Sequence, residues 1–211
     1  MRGKFITVEG TDGSGKSTQI DMLMSYLNEK NADVIFTREP GGTDISEKIR
    51  EIILDINNRS MTGMTEALLY AAARSQHVQE KITPAVNSGK IVICDRFIDS
   101  SIAYQGEARG LGIDNILAIN NFALNGIMPD MTLFFDLPPE KGILRKKNER
   151  LLDRLEAEKI DFHKKVYEGY KKLCRKYPER IKVIDADDSM ENIHNKVVEA
   201  VDILLKGKYY V

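Results

Sequence analysis

Short, nearly continuous apolar runs alternate along this chain with longer stretches in which apolar positions recur every three to four residues. The short runs predict strands at Phe5–Val8, Asp33–Thr37, Ile91–Cys94, Met131–Asp136 and Ile181–Ile184, several of them buried on both faces. The longer stretches predict amphipathic helices at Lys16–Asn28, Ser46–Ile56, Thr65–Val86, Ile113–Leu124, Pro139–Lys147, Lys159–Arg175 and Met190–Leu205. Thr83-Pro84 should start a new turn or kink the third helix, because proline has no N–H, and Gly89 should close it. Such alternation folds as a mostly parallel sheet covered by helices, the α/β class. No repeat, low-complexity tract or Pro/Gly/Ser linker interrupts it, so residues 1–211 read as one domain.

Composition narrows the function. Lys and Arg number 31 against 32 Asp and Glu, a formal net charge of -1, so the Lys/Arg excess of a nucleic-acid binder is missing. No apolar run approaches the roughly 20 residues of a membrane span. Glu9 interrupts the N-terminal segment before a signal-peptide core can form. Cys94 and Cys174 stand far apart in no metal-ligand spacing, and His77, His163 and His194 share none either. These features predict a cytoplasmic protein with reduced thiols.

The chemistry begins at Gly10-Thr11-Asp12-Gly13-Ser14-Gly15-Lys16-Ser17-Thr18, which satisfies G-x-x-x-x-G-K-[ST] between a buried strand and an amphipathic helix. Its glycines let the backbone curl around a phosphate resting on helix N-terminal N–H groups. Lys16 would reach the β- and γ-phosphates of ATP or GTP, and the Ser17 hydroxyl would bind Mg²⁺. A guanine-reading Asn-Lys-x-Asp run is missing, since Asn195-Lys196 is followed by Val197-Val198. That counts against a GTPase switch and favours a small phosphotransferase with an acceptor pocket.

Further clusters suit that pocket. Arg38-Glu39-Pro40-Gly41-Gly42 follows the second strand, and ligands sit at strand ends of open α/β sheets. Asp95-Arg96 follows the third strand; an acid and a guanidinium there suit Mg²⁺ and phosphate, or equally form a surface ion pair. Ser100–Gly106 is polar and aromatic enough to read a base and sugar. Tyr70 and Arg74 share a helix face, where they could grip a pyrimidine, although a core tyrosine beside a surface arginine is the simpler reading.

Taken in order, Glu9–Ser17, Arg38–Gly42, Asp95-Arg96-Phe97, Ala103-Tyr104-Gln105-Gly106 and Asp153-Arg154-Leu155-Glu156 resemble the thymidylate kinases over essentially the whole chain. The resemblance implies a P-loop nucleoside-monophosphate kinase fold, ATP- and Mg²⁺-dependent phosphorylation of dTMP to dTDP on the way to dTTP, and a homodimer. It implies that Asp12 takes the deoxyribose 3′-hydroxyl, and that Arg96 clamps the dTMP phosphate with help from Arg50 and the Arg38–Glu39–Pro40 loop. Tyr70 would stack on thymine, Arg74 meet a base carbonyl, Ser101 and Gln105 contact the base, and Tyr104 fill the space of a ribose 2′-hydroxyl. Phe97 and Tyr70 depart from the commonest family residues without removing a charge or a stacking face.

Some family members carry an arginine inside the phosphate loop, where this chain has Gly13. The charged stretch 145–154, in a lid segment of about 145–156, is the alternative source. Arg150 or Arg154 would close over ATP, with Arg145 and Lys147 in support. Arg154 could instead be tied to Asp153 or Glu156 as an ion pair shaping the lid.

Overall fold

The computed structural model describes residues 2–146 and 153–206. Strands β1 (Lys4–Gly10), β2 (Val34–Arg38), β3 (Ile91–Asp95), β4 (Met131–Asp136) and β5 (Ile181–Asp185) form one parallel sheet in the order β2-β3-β1-β4-β5. The described helices are α1 (Lys16–Glu29), α2 (Asp44–Leu54), α3 (Gly63–His77), α4 (Thr83–Asn87), α5 (Ile98–Ser101), α6 (Ile113–Leu124), α7 (Pro139–Lys146), α8 (Ile160–Lys176) and α9 (Met190–Leu205). All five predicted strands form, with ends shifted by at most two residues.

The two-residue period of the strands sorts the core into two layers. Ile6, Val8, Ile93, Leu133 and Phe135 face α1 and α9, meeting Leu23, Leu27, Val197 and Val201. On the opposite face Phe5, Val92, Cys94 and Phe134 pack against Ile98, Ile116, Val166 and Tyr170 from α5, α6 and α8. Burial on both faces explains why these strands read as unbroken apolar runs. Among the described residues no helix is long and apolar enough to cross a membrane.

Two segments differ from the periodicity. The predicted helix Thr65–Val86 is continuous in space, but a π-helical turn, Val78–Ile82, separates α3 from α4. The Thr83 N–H reaches back five residues to the Val78 carbonyl, and this wider turn admits Pro84 without a break. The second segment, Ile98–Ala108, shows no helical period in the sequence yet forms α5 and a π-helical turn, Ile102–Ala108. Every residue from Ile98 to Gly106 is buried, so no polar stripe marks it as a helix.

The face carrying Phe5 also holds a buried polar cluster. Thr7 Oγ1 and Thr132 Oγ1 lie 2.7 Å apart, and Arg180 holds Asp99 with two hydrogen bonds of 2.6 and 2.7 Å while donating to Thr132 at 2.7 Å. Asp99 is almost wholly buried, so this pair ties α5 to the turn before β5. Arg180→Leu removes both guanidinium donors and leaves Asp99 only the Thr132 hydroxyl, which donates to Oδ2 at 3.0 Å, and is expected to cost about 3 kcal/mol. Urea unfolding checks this; a loss below about 1 kcal/mol would mean solvent already reaches Asp99.

Candidate active site

Because β1, β2 and β3 are parallel and adjacent, the segments that follow them emerge at one sheet edge. A cavity of about 500 Å³ opens there, lined by Asp12, 13–18 of the phosphate loop, Arg38–Pro40, Asp95 and Arg96. Arg50, Tyr70, Arg74, Tyr104, Gln105, Arg145 and Asp153 also line it. Most of the residues singled out in the sequence therefore share one cleft.

The phosphate loop is held at both ends. Thr11 donates its hydroxyl to the Leu137 carbonyl at 3.0 Å, and the Lys16 ammonium donates to the Gly10 and Thr11 carbonyls at 3.0 and 2.9 Å. Burial, then the nearby Arg96 charge, lowers the Lys16 pKa to about 8. Gly13 has a left-handed φ of 77°, and a Cβ there would overlap the Gly142 carbonyl of α7. Gly142 in turn lies so close to the Asp12 carbonyl that a Cβ would overlap it. The loop and α7 pack backbone to backbone, which leaves position 13 no room for a side chain.

Arg96 sits between the phosphate loop and the arginine-rich wall. Its Nη2 donates to Asp12 Oδ1 at 2.6 Å, its Nη1 donates to the Gly10 carbonyl at 3.1 Å, and its guanidinium lies 5.3 Å from the centre of the Tyr104 ring. Its backbone φ of 67° is left-handed, at a cost of about 1 kcal/mol for a non-glycine residue. Such outliers persist only where surroundings over-determine them. Here the Arg96 N–H is fixed to the Val8 carbonyl at 2.9 Å and the Phe97 N–H to Glu9 Oε1 at 2.7 Å.

Glu9 is fully buried and accepts from four donors: the Phe97 and Ser100 N–H groups and the hydroxyls of Ser100 and Tyr170, at 2.6–3.3 Å. Burial raises its pKa to about 7, the Asp99 charge adding to the effect against the lowering by these donors and Arg96. Glu39 plays the same part behind β2. Its Oε2 accepts from Arg74 Nε at 2.8 Å and pairs with Nη2 at 2.6 Å, while Oε1 lies 3.1 Å from His77 Nδ1. His77 Nε2 lies 2.7 Å from Thr37 Oγ1.

The arginines have distinct settings. Arg38 makes a two-pronged pair with Glu47 at 2.8 and 3.0 Å, and Arg50 donates to the Pro40 carbonyl at 2.8 Å. Burial, then Arg38, lowers the Arg50 pKa. Arg74 is not the surface residue of the simpler reading: it is 1% exposed, hydrogen-bonded to Glu39, Ser101 and Asn120, and stacked 5.1 Å from the Phe97 ring. Ser101 lies behind the wall, accepting from Arg74, because its helix turns that hydroxyl away from the cleft. Tyr70 lines the cleft with its pKa raised by burial and then by Glu66.

Arg154 does not line this cleft. It is buried, donates to the Ile53 carbonyl at 2.8 Å and pairs with Glu66 at 2.7 Å, lining a separate cavity with Arg59 and Arg109. The alternative partners Asp153 and Glu156 instead close a turn, with the Leu155 and Glu156 N–H groups both donating to Asp153 Oδ1 at 2.8 Å. Arg150 and Lys147 lie outside the described residues.

One oxygen of Asp95 is buried with no hydrogen-bond donor among the described residues, in the same cleft wall as Ser17. Among the described residues no group of three His, Cys, Asp or Glu side chains is arranged to hold a metal ion by itself. A hard cation here would therefore take Ser17, Asp95 and phosphate oxygens, a set that suits Mg²⁺. Sequence reasoning missed Glu66, Asn120, His77 and Tyr170. Only Glu66 left a local signal, standing one turn before Tyr70 and two before Arg74 on α3.

A family model for thymidylate kinase matches residues 8–197. The thymidylate kinase of Clostridium novyi (strain NT) is 56% identical over 198 residues, spanning 93% of this chain and 97% of that protein. That of Geobacillus sp. (strain WCH70) is 51% identical over 210 residues, 99% of this chain and 100% of the relative. The crystal structure of thymidylate kinase from Ehrlichia chaffeensis superimposes with a TM-score of 0.77 at 32% identity, over 95% of this chain and 99% of that one.

The buried Glu9 makes stability depend on pH. Its native pKa lies above the unfolded value, so the folded state binds the proton more tightly. Its contribution is fully present below pH 4.5 and is lost as pH rises to about 7. The stability of wild type relative to Glu9→Gln should fall across that window and then level off, read from urea midpoints. A difference that stays flat would show that Glu9 does not titrate there.

Proposed function

The chain belongs to the thymidylate kinase family, and we propose that this cleft passes the terminal phosphoryl group of ATP to dTMP, yielding dTDP and ADP. The observation that carries this reading is one cavity shared by the phosphate loop and an arginine-lined acceptor wall, with Arg96 between them. An oxygen of the dTMP phosphate attacks the γ-phosphorus, and the bond to the β–γ bridging oxygen breaks with its electron pair leaving on ADP. Neither nucleophile nor leaving group needs a proton, so the chain's work is positioning and charge.

The N–H groups of 13–18 cradle the donor phosphates, and Lys16 supplies a buried positive charge to the transferring group. Ser17 and Asp95 would hold Mg²⁺, which when bound would supply further positive charge to the transferring group. Arg96 clamps the acceptor phosphate, with Arg50 and Arg38 behind it, and Asp12 both orients Arg96 and accepts the 3′-hydroxyl. Tyr70 stacks on the base, Gln105 and the remaining Arg74 N–H meet its edge, and the Tyr104 ring leaves no room for a 2′-hydroxyl. Ser101 acts through Arg74 as a positioning residue. With Arg154 committed to Glu66, Arg150 carries the lid charge and Arg145, in the cleft wall, supports it.

A homodimer is supported by exposed apolar side chains on helices that pack together, Ile52 on α2, Met64 and Leu68 on α3 and Phe122 on α6. Sedimentation of the purified chain checks it, and a monomer at micromolar concentration would refute it.

A coupled assay with ATP is expected to rank acceptors dTMP above dUMP, with UMP far behind. Tyr104→Ala should raise use of UMP relative to dUMP; equal rates with both in the wild type would remove the Tyr104 role. Arg150→Ala should lower kcat on the order of a thousandfold with little change in KM. Full kcat in that variant would place the lid charge elsewhere.

A further inference from the structure

We propose that Glu66 is a positioning residue for base selectivity, because it decides which end of the Gln105 amide is offered to the acceptor nucleotide. The inference rests on Gln105 meeting the base, as proposed above. Glu66 is fully buried on α3, on the stripe that carries Tyr70 and Arg74. Its Oε1 accepts from Gln105 Nε2 at 2.9 Å and from Arg109 Nε at 3.3 Å. Its Oε2 lies 3.1 Å from Arg109 Nη2 and 2.7 Å from Arg154 Nη1.

A carboxylate between two guanidiniums has only acceptor sites to offer. Gln105 must therefore turn its NH₂ toward Glu66, which removes the ambiguity that usually attends an amide. The amide oxygen is left without a donor among the described residues, although Gln105 is 1% exposed and lines the cleft. A buried carbonyl without a donor is costly, and a ligand N–H would offset that cost. Thymine and uracil carry a hydrogen on ring N3. Cytosine has a lone pair there, so it would set an acceptor against an acceptor and leave both unpaired.

The arrangement is braced from two sides. Arg109 ends the π-helical turn that carries Gln105, with its N–H on the Tyr104 carbonyl at 2.9 Å and its guanidinium 4.5 Å from the Phe162 ring. Arg154 follows directly on the turn at Asp153, so the root of the lid segment and the base reader share one carboxylate. Neither arginine needs to touch nucleotide for its pairing to hold the Glu66 carboxylate in place.

The test compares kcat/KM for dTMP and dCMP in wild type, Glu66→Gln, Glu66→Asp and Gln105→Leu, with thermal unfolding of each. Glu66→Gln can donate as well as accept, so Gln105 is free to turn over. The dTMP-over-dCMP preference should fall at least tenfold, with KM for dTMP rising more than kcat falls. Glu66→Asp keeps an acceptor-only group and should retain most of the preference; it decides the matter if Glu66→Gln does not fold. A preference unchanged in Glu66→Gln, or lost equally in Glu66→Asp, overturns the inference. Gln105→Leu separates the two levels: if it leaves the preference intact, the base-contact reading fails as well. If it abolishes the preference while Glu66→Gln keeps it, only the role of Glu66 fails.

Discussion

Buried carboxylates cannot be left without donors, and three glutamates impose that requirement on three walls of the cleft. Glu9, Glu39 and Glu66 are each at most 5% exposed. Each gathers donors from segments far away in sequence: Glu9 from the start of α5 and from α8, Glu39 from the end of α3, Glu66 from the π-helical turn and from Arg154. Removing a charged hydrogen-bond partner from such a site costs more than the bond is worth, because the desolvated group remains. The apolar layers hold the sheet together; these carboxylates set where the side chains around it stand.

The second constraint is electrostatic. Lys16, Arg38, Arg50, Arg96 and Arg145 line one cavity whose natural occupants are polyanions. Their repulsion is moderated by paired acids of the same chain: Asp12 on Arg96, Glu47 on Arg38, Asp187 on Arg145. The lowered pKa values of Lys16 and Arg50 register burial and the remaining repulsion from arginine neighbours. A phosphate entering this cleft replaces water with charges already oriented, which is how a phosphotransferase avoids reorganising its dipoles during reaction.

The run Asp153-Arg154-Leu155-Glu156 shows how neighbouring residues of one motif part in the fold. In the sequence the segment reads as part of a lid; in the fold Asp153 closes a turn, its carboxylate taking two N–H groups and lining the cleft. Arg154, one residue on, is turned to the other side and buried against Glu66 and Ile53. Neighbouring side chains in a turn point in different directions, and no spacing rule assigns one of them to the nucleotide.

The sequence by itself determined the strand–helix alternation, the parallel sheet, the phosphate loop and the loops after β2 and β3. These follow from hydrophobic period, glycine placement and the chemistry of short motifs, all of which act over a few residues. Lys16, Asp95 and Arg96 line the cleft because parallel strands deliver their C-terminal ends to one side of the sheet, whereas Tyr70 and Gln105, carried on helical segments, were assigned to it through the family resemblance. Only the tertiary structure decided that Arg74 is buried, that Ser101 supports it from behind, and that Arg154 belongs to Glu66. It alone revealed the helical form of Ile98–Ala108, hidden because a segment buried on every side carries no period. Pairings across 35 to 161 residues, such as Arg74 with Glu39 or Tyr170 with Glu9, depend on where the chain returns to itself. That information resides in packing, and no local pattern encodes it.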